Sequence, residues 1–277
     1  MARAPVRPLK IGQLSSHPLV VGARPSAQSP ALAQPLSAVG NGLLATTPWA
    51  SHRVWAWLQA AQNPGLILIS GVLVTLPVFL QAPWVRLAPF SAALFTAPLL
   101  GLALAQAHHP NPRIRSSGEL LVGFCGSWLA GCLFWGWVRL HPLWHLPIEA
   151  FALPLALAGL QGRWKLACGF YLGSLLGTAC TDAAMAATGV MAFWPQVLSA
   201  SPADAPLLLQ AAAQQVLTPL PLTLVLLSGA LLLQACRWLW QRGPVGRITA
   251  SALATTLAVD ALFLLAALLA PNLSGLI

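Results

Sequence analysis

The sequence predicts an all-α integral membrane protein, a bundle of about seven transmembrane helices with the N-terminus in the cytoplasm, six being the alternative count. Three observations carry this. Hydrophobic residues make up 57% of the 277 positions and charged residues only 7%, against about 25% charge in soluble domains. The apolar residues fall in long runs separated by short polar gaps. The basic residues sit in alternate gaps, as the positive-inside rule requires.

Two regions follow from the composition. Residues 1–62 are rich in Pro, Ala, Ser and Gln, contain Arg3, Arg7, Lys10, Arg24 and Arg53, and have no acid. They read as a disordered basic cytoplasmic tail, with an organelle transit peptide as the alternative. Trp49, Trp55 and Trp57 beside Arg53 suit a short interfacial helix at its end. Residues 63–277 form the helical bundle.

The first span is expected at 65–80, followed by a tight turn at Gln81, Pro83 and Arg86. The second runs over 87–107, with Pro89 at its start, where a missing N–H costs little. The third covers 118–138. The fourth, 146–161, is short for a span of about 20 residues. The fifth covers 166–193. The sixth is ambiguous, because 205–218 leads into Pro219 and Pro221 before 222–240. Two prolines so close break or kink a helix, so a half-helix followed by the true span is expected. The seventh covers 249–270.

Counting Lys and Arg in the gaps puts twelve on the side of the tail and two, Arg86 and Arg139, on the other. That asymmetry places the N-terminus inside. Trp84, Trp135, Trp137, Trp144, Trp164, Trp194, Trp238 and Trp240 fall at predicted span ends, as an interfacial belt would.

Chemistry is sparse. The five acids are Glu119, Glu149, Asp182, Asp204 and Asp260. Glu149, Asp182 and Asp260 fall inside predicted spans, where a carboxylate costs at least about 2.5 kcal/mol on insertion scales. Ser174, Thr178 and Asp182 recur every four residues and share a helix face, beside the small-residue strip of Gly169, Gly173 and Gly177, which permits close helix packing. Gln210, Gln214, Gln215 and Thr218 precede the proline pair, where a broken helix would expose backbone. The candidate substrate or ion pathway is therefore Asp182, Asp260, Glu149, Thr178, Gln214 and Gln215.

No catalytic residue is assigned. HExxH, P-loop, GxSxG and dinucleotide fingerprints are absent from the sequence, and no cofactor is expected. His108 and His109 read as interfacial. His141 and His145 are spaced i, i+4, but Pro142 and Pro147 argue against a helix there, so they too read as interfacial and no metal site is expected. The five cysteines lie in or beside apolar runs without a CxxC pair and read as small hydrophobes. The basic residues form no stripe interleaved with aromatics, so no nucleic-acid partner is expected. The partners are the lipid bilayer and, for an assembly factor, another membrane protein.

The first hairpin reads LPVFLQAPWVR over 76–86, followed by LAPFS over 87–91. This pattern, with Pro147-Ile-Glu-Ala150, resembles a cyanobacterial family of multi-pass membrane proteins, the domain of unknown function 3120, over about 65–270. The resemblance implies a plasma or thylakoid membrane and no particular activity. It draws attention to Gln81 and Arg86, which flank the proline-rich turn; Arg86 is expected to snorkel to the interface. A transporter or permease-like component is the leading expectation, a scaffold or assembly factor the second, an intramembrane enzyme the third. A transporter would gather the acids and glutamines around one cavity; a scaffold would bury the acids as pairs.

Overall fold

A computed structural model of the protein describes residues 64–273, and all its regular elements are helical. This is what a lipid environment demands, because a helix satisfies its own backbone hydrogen bonds. The predicted tail and its interfacial helix lie outside the described residues.

Helix α1 (Pro64–Leu76) continues through a π-helical turn (Pro77–Gln81) into α2 (Ala82–Leu87). The tight turn expected at Gln81–Arg86 is not there. The chain turns at Ala88, whose φ of −151° leaves the helix. The prolines misled the reading: Pro77 and Pro83 flank a π-helical turn inside one continuous helix, a local adjustment by which membrane helices accommodate interior prolines. After Ala88 come α3 (Pro89–Leu94) and α4 (Thr96–Ala107). Trp84 Nε1 donates to Ser91 Oγ at 2.8 Å across that corner.

Helix α5 (Pro112–Leu133) opens on an Asn111 cap, whose side chain accepts from Arg113 N at 2.9 Å, and ends in a second π-helical turn (Phe134–Val138). A broken run follows: a 3₁₀ turn (Pro142–Trp144), α6 (His145–Glu149), a second 3₁₀ turn (Ala150–Ala152) and α7 (Leu153–Gly159). The fourth predicted span is thus interrupted in its middle. Helix α8 (Lys165–Ala187) then runs unbroken to Gly189, where φ is 76° and the path bends by 92° into a 3₁₀ turn (Val190–Ala192) and α9 (Phe193–Ser199). Helix α10 (Ala205–Val216) precedes α11 (Pro219–Trp240) and α12 (Gly243–Leu269). The proline pair opens α11 rather than kinking it.

Among the described residues, five helical stretches are long and apolar enough to cross a membrane: Pro64–Leu87, Pro89–Ala107, Pro112–Val138, Pro219–Trp240 and Gly243–Leu269. The bent pair Lys165–Ala187 and Val190–Ser199 makes six if it counts as one span.

The packing defines two ends. At the first, Arg163 Nη2 donates to Ala107 O at 3.1 Å, and Gly118 and Gly246 press on Ala107 and Leu239. Arg113, Arg115, Lys165, Arg237, Arg242 and Arg247 belong to this basic end. The far end holds Arg86, Arg139 and the 92° bend.

Helices α8 and α12 run parallel between these ends. A Cβ on Gly169 would stand 2.6 Å from Val245, one on Gly173 2.6 Å from Thr249 O, and one on Gly177 2.7 Å from Thr256. Three glycines one turn apart therefore let the backbones approach over the first half of α8. Helix α5 also runs parallel to α8: Gly123 abuts Ala167 and Phe124 meets Phe170 near the basic end, while Phe134 and Asp182 both meet His145 near the far end. Two parallel neighbours require the intervening chain to return. Residues 139–164 do so through α6 and α7, and α11 returns the chain after α8 and its bend.

The core is aromatic and tight. Trp128 is buried and donates from Nε1 to Ala92 O at 3.0 Å, with Phe124, Trp84 and Phe95 around its ring. Leu220, Leu226, Leu227, Leu231 and Leu233 of α11 are exposed, as lipid-facing side chains are.

Candidate functional site

Two local features of the broken run and one packing relation build the site. Pro147 falls in the first turn of α6, where its missing N–H leaves nothing unsatisfied, so the one-and-a-half turns from His145 to Glu149 form despite two nearby prolines. A helical i, i+4 spacing then puts both side chains on one face. The parallel packing of α5 and α8 brings that face against the C-terminal part of α8, where Asp182 points inward.

The result is a buried charge cluster. His145 Nδ1 lies 3.1 and 3.0 Å from the two Asp182 oxygens. Its Nε2 lies 3.3 Å from Glu149 Oε1. The three side chains are 11%, 12% and 17% exposed for His145, Asp182 and Glu149. With a carboxyl group at each ring nitrogen, a doubly protonated imidazolium donates to both, whereas a neutral ring requires one of the two carboxyl groups to hold the proton. Rings enclose the imidazole, with centroids of Phe134 at 4.3 Å, Trp194 at 5.6 Å and Trp135 at 6.3 Å. Trp135 and Trp194 stack at 5.4 Å and 18°. Aromatic faces around a cation add attraction.

A third carboxylate adjoins the cluster. Thr181, next to Asp182 on α8, donates from Oγ1 to Asp260 Oδ2 of α12 at 2.6 Å. Adjacent residues of α8 thus reach opposite neighbours, one toward α6 and one toward α12. Below the cluster, Tyr171 repairs the break between α6 and α7. Its hydroxyl donates to Glu149 O and accepts from Ala152 N at 3.2 Å.

A family model for proteins of unknown function, DUF3120, matches residues 70–268. The chain belongs to the DUF3120 family. The matched region holds the whole charge cluster, the glycine seam and the first hairpin with its LPVFLQAPWVR run. No curated protein and no solved structure matches this DUF3120 chain.

Other predicted site residues lie apart from the cluster. Thr178 is half-buried one turn before Asp182 on α8. Gln214 and Gln215 are exposed on α10; Gln215 Nε2 reaches Thr188 O at 3.5 Å, away from the carboxylates. Gln81 is buried and donates to Trp128 O and to Cys132 Sγ at 2.9 Å, so it belongs to the α1–α5 contact. His108 and His109 stay exposed near the end of α4 and bond its last turn and Asn111. Four cysteines are buried and Cys180 is half-buried, all as free thiols.

Two expectations need correcting. His145 is not interfacial; it is the centre of the cluster, because Pro147 permits the helix it was thought to forbid. The tryptophan belt is only partial. Trp137, Trp144 and Trp238 are exposed, whereas Trp84, Trp135 and Trp194 turn inward onto other rings. A metal is a poor occupant, because the imidazole separates the two carboxylates; among the described residues no three His, Cys, Asp or Glu side chains could hold an ion.

The i, i+4 pair of His145 and Glu149 was a usable signal in the sequence. Thr181, Tyr171 and Trp194 carried none.

Proposed function

We propose that this DUF3120 protein is a transporter or permease-like component for a small molecule or ion, with seven membrane crossings and a cytoplasmic N-terminus. The seven crossings are α1–α2, α3–α4, α5 with its π turn, the broken α6–α7 run, α8, α11 and α12, with α9 and α10 folded back at the far end. The supports for the count are the parallel pairs α5–α8 and α8–α12, each of which needs one return between its members. The support for the orientation is the gathering of Lys and Arg at one end. The resemblance of the first hairpin favours a cyanobacterial plasma or thylakoid membrane.

One observation carries the transport reading. His145, Asp182 and Glu149 form a buried cluster at a helix break, with Thr181–Asp260 beside it. Ionisable groups inside a bundle mark ion or proton pathways, and a discontinuous helix is where transporters place their sites. The glutamines of α10 lie elsewhere, which narrows the proposed path to α6, α8 and α12. Purified protein in liposomes loaded with a pH-sensitive dye tests this. Imposed ion gradients should give dye responses above empty liposomes, and Asp182→Asn or Asp260→Asn should remove most of the difference. Equal responses with and without protein, across proton, sodium and potassium gradients, would argue against proton transport and against proton-coupled transport of sodium or potassium.

The pairing of each interior carboxylate with a partner also fits a membrane-embedded scaffold or assembly factor. Purification from native membranes in mild detergent separates the two readings. A stoichiometric membrane-protein partner together with silent liposomes would favour the scaffold.

A further inference from the structure

Thr181 has one hydroxyl hydrogen and two acceptors within reach. Its Oγ1 lies 2.6 Å from Asp260 Oδ2 on α12 and 3.0 Å from Gly177 O, one turn back on α8. With Asp260 ionised, the hydrogen points to the carboxylate. With Asp260 protonated, the acid donates to Thr181 and the hydroxyl hydrogen turns to Gly177 O, so both short contacts are hydrogen bonds at once. We propose that Asp260 is a proton-binding site, loaded and unloaded from water, and that Thr181 serves both of its states by turning one hydroxyl. Loading forms an O–H bond at Oδ2 with a proton taken from water, and unloading returns that proton.

The surroundings set Asp260 apart from the neighbouring cluster. Both oxygens of Asp182 lie against Nδ1 of His145, and Glu149 lies against its Nε2. Those carboxyls have a basic group between them. Asp260 has none: among the described residues its hydrogen-bond partner is Thr181. The elements packed on α12 bear this out. Helices α1 and α10 and the 3₁₀ turn Pro271–Leu273 carry no titratable side chain. Helix α11 offers Cys236 and Arg237 toward the basic end, where α12 has its own Arg247. Helix α8 offers Lys165 at that same end, then Cys168, Tyr171, Cys180 and Asp182. Asp182 is the charged group that acts on Asp260, and it is an acid.

Helix packing does not account for an acid here. A hydrogen bond between membrane helices stabilises less than an intramembrane carboxylate costs. The glycine seam already holds α8 to α12, since a Cβ on Gly177 would stand 2.7 Å from Thr256, one turn before Asp260. Asp260 is half-buried, not sealed inside the helix pair. The inference deepens the transport reading by naming the ion, a proton, and rests on that reading only for the proton's passage across the membrane.

Infrared difference spectroscopy of the full-length protein in nanodiscs tests the site, following the C=O stretch of protonated carboxyls as pH is stepped. A titrating band is expected that Asp260→Asn abolishes and Asp182→Asn leaves present. Thr181→Val should shift both its frequency and its midpoint, and Thr181→Ser should restore both. In the Asp182→Asn chain, aspartate labelled with ¹³C at the side-chain carboxyl should move the same band, which keeps the test open if Asp260→Asn fails to fold. Three results overturn the proposal: no aspartate band that titrates, a band that Asp260→Asn removes but pH never changes, or a band unmoved by Thr181→Val. Dye responses of liposomes made from the same preparation separate the site from transport. A titrating Asp260 in silent liposomes keeps the site and sinks proton transport, whereas dye responses without the band sink the site and leave transport to other residues.

Discussion

Both carboxylate oxygens of Asp182 lie against Nδ1 of His145, at 3.0 and 3.1 Å, across 37 residues of chain. The contact fastens α6 to α8, and it does so in a place where water is scarce. An ion pair in that setting is costly to break by removing one partner, because the other charge stays behind.

His145→Ala should therefore destabilise strongly, by about 3 kcal/mol or more, since Asp182 and Glu149 would then face each other without a cation. The double variant His145→Ala with Asp182→Asn should recover part of that loss. Thermal melting in detergent measures both. A double variant less stable than either single one would show that the cluster is not held by charge.

Tyr171→Phe removes the hydroxyl that bonds both Glu149 O and Ala152 N across the break. Hydrogen bonds of this kind contribute about 0.5–1.5 kcal/mol each. Amide exchange should accelerate at residues 150–152 before it changes in α8. Unchanged protection there would show that the break does not depend on the hydroxyl.

The glycine seam predicts a contrast between two identical substitutions. At Gly173 an added Cβ would stand 2.6 Å from Thr249 O, so Gly173→Ala must push α8 and α12 apart. Overpacking of this sort typically costs about 1–3 kcal/mol. At Gly229 on α11 nothing lies within 4 Å, so Gly229→Ala should be neutral or stabilising by up to about 1 kcal/mol through helix propensity. Melting of the two variants side by side decides it.

Seven crossings predict that the two ends of the broken run lie on opposite sides of the membrane. Leu143 and Gln161 are both exposed. With an impermeant maleimide on sealed cells, Leu143→Cys should label from outside and Gln161→Cys only after permeabilisation. The native cysteines, four buried and Cys180 half-buried, set the background. Labelling of both from the same side would remove one crossing and reverse the orientation of everything after it.

Much of this fold could be read from residue order alone, and the reasons are local. Gly169, Gly173 and Gly177 announced a close helix contact because four-residue spacing is a property of one helix. The inward face of Asp182 followed from Ser174 and Thr178 in the same way. What escaped was relational. The partner of Asp182 lies 37 residues upstream, in a segment whose two prolines suggested an irregular chain. Pro147 was weighed as a helix breaker, although in a first turn it breaks nothing. Gln81 looked like a turn residue because it stands between Pro77 and Pro83; only packing against α5 shows it buried. Trp135 and Trp194 were assigned to the interface by position, and no local pattern could reveal that they stack on each other.

Tyr171 is the chain's single tyrosine, and it sits on the break in the return path. Growth on fluorinated tyrosine would therefore place one spectroscopic reporter in the whole protein, at that break. A single ¹⁹F resonance would need no assignment, and its splitting or broadening on addition of a gradient, a ligand or a partner would report directly whether the interrupted segment moves.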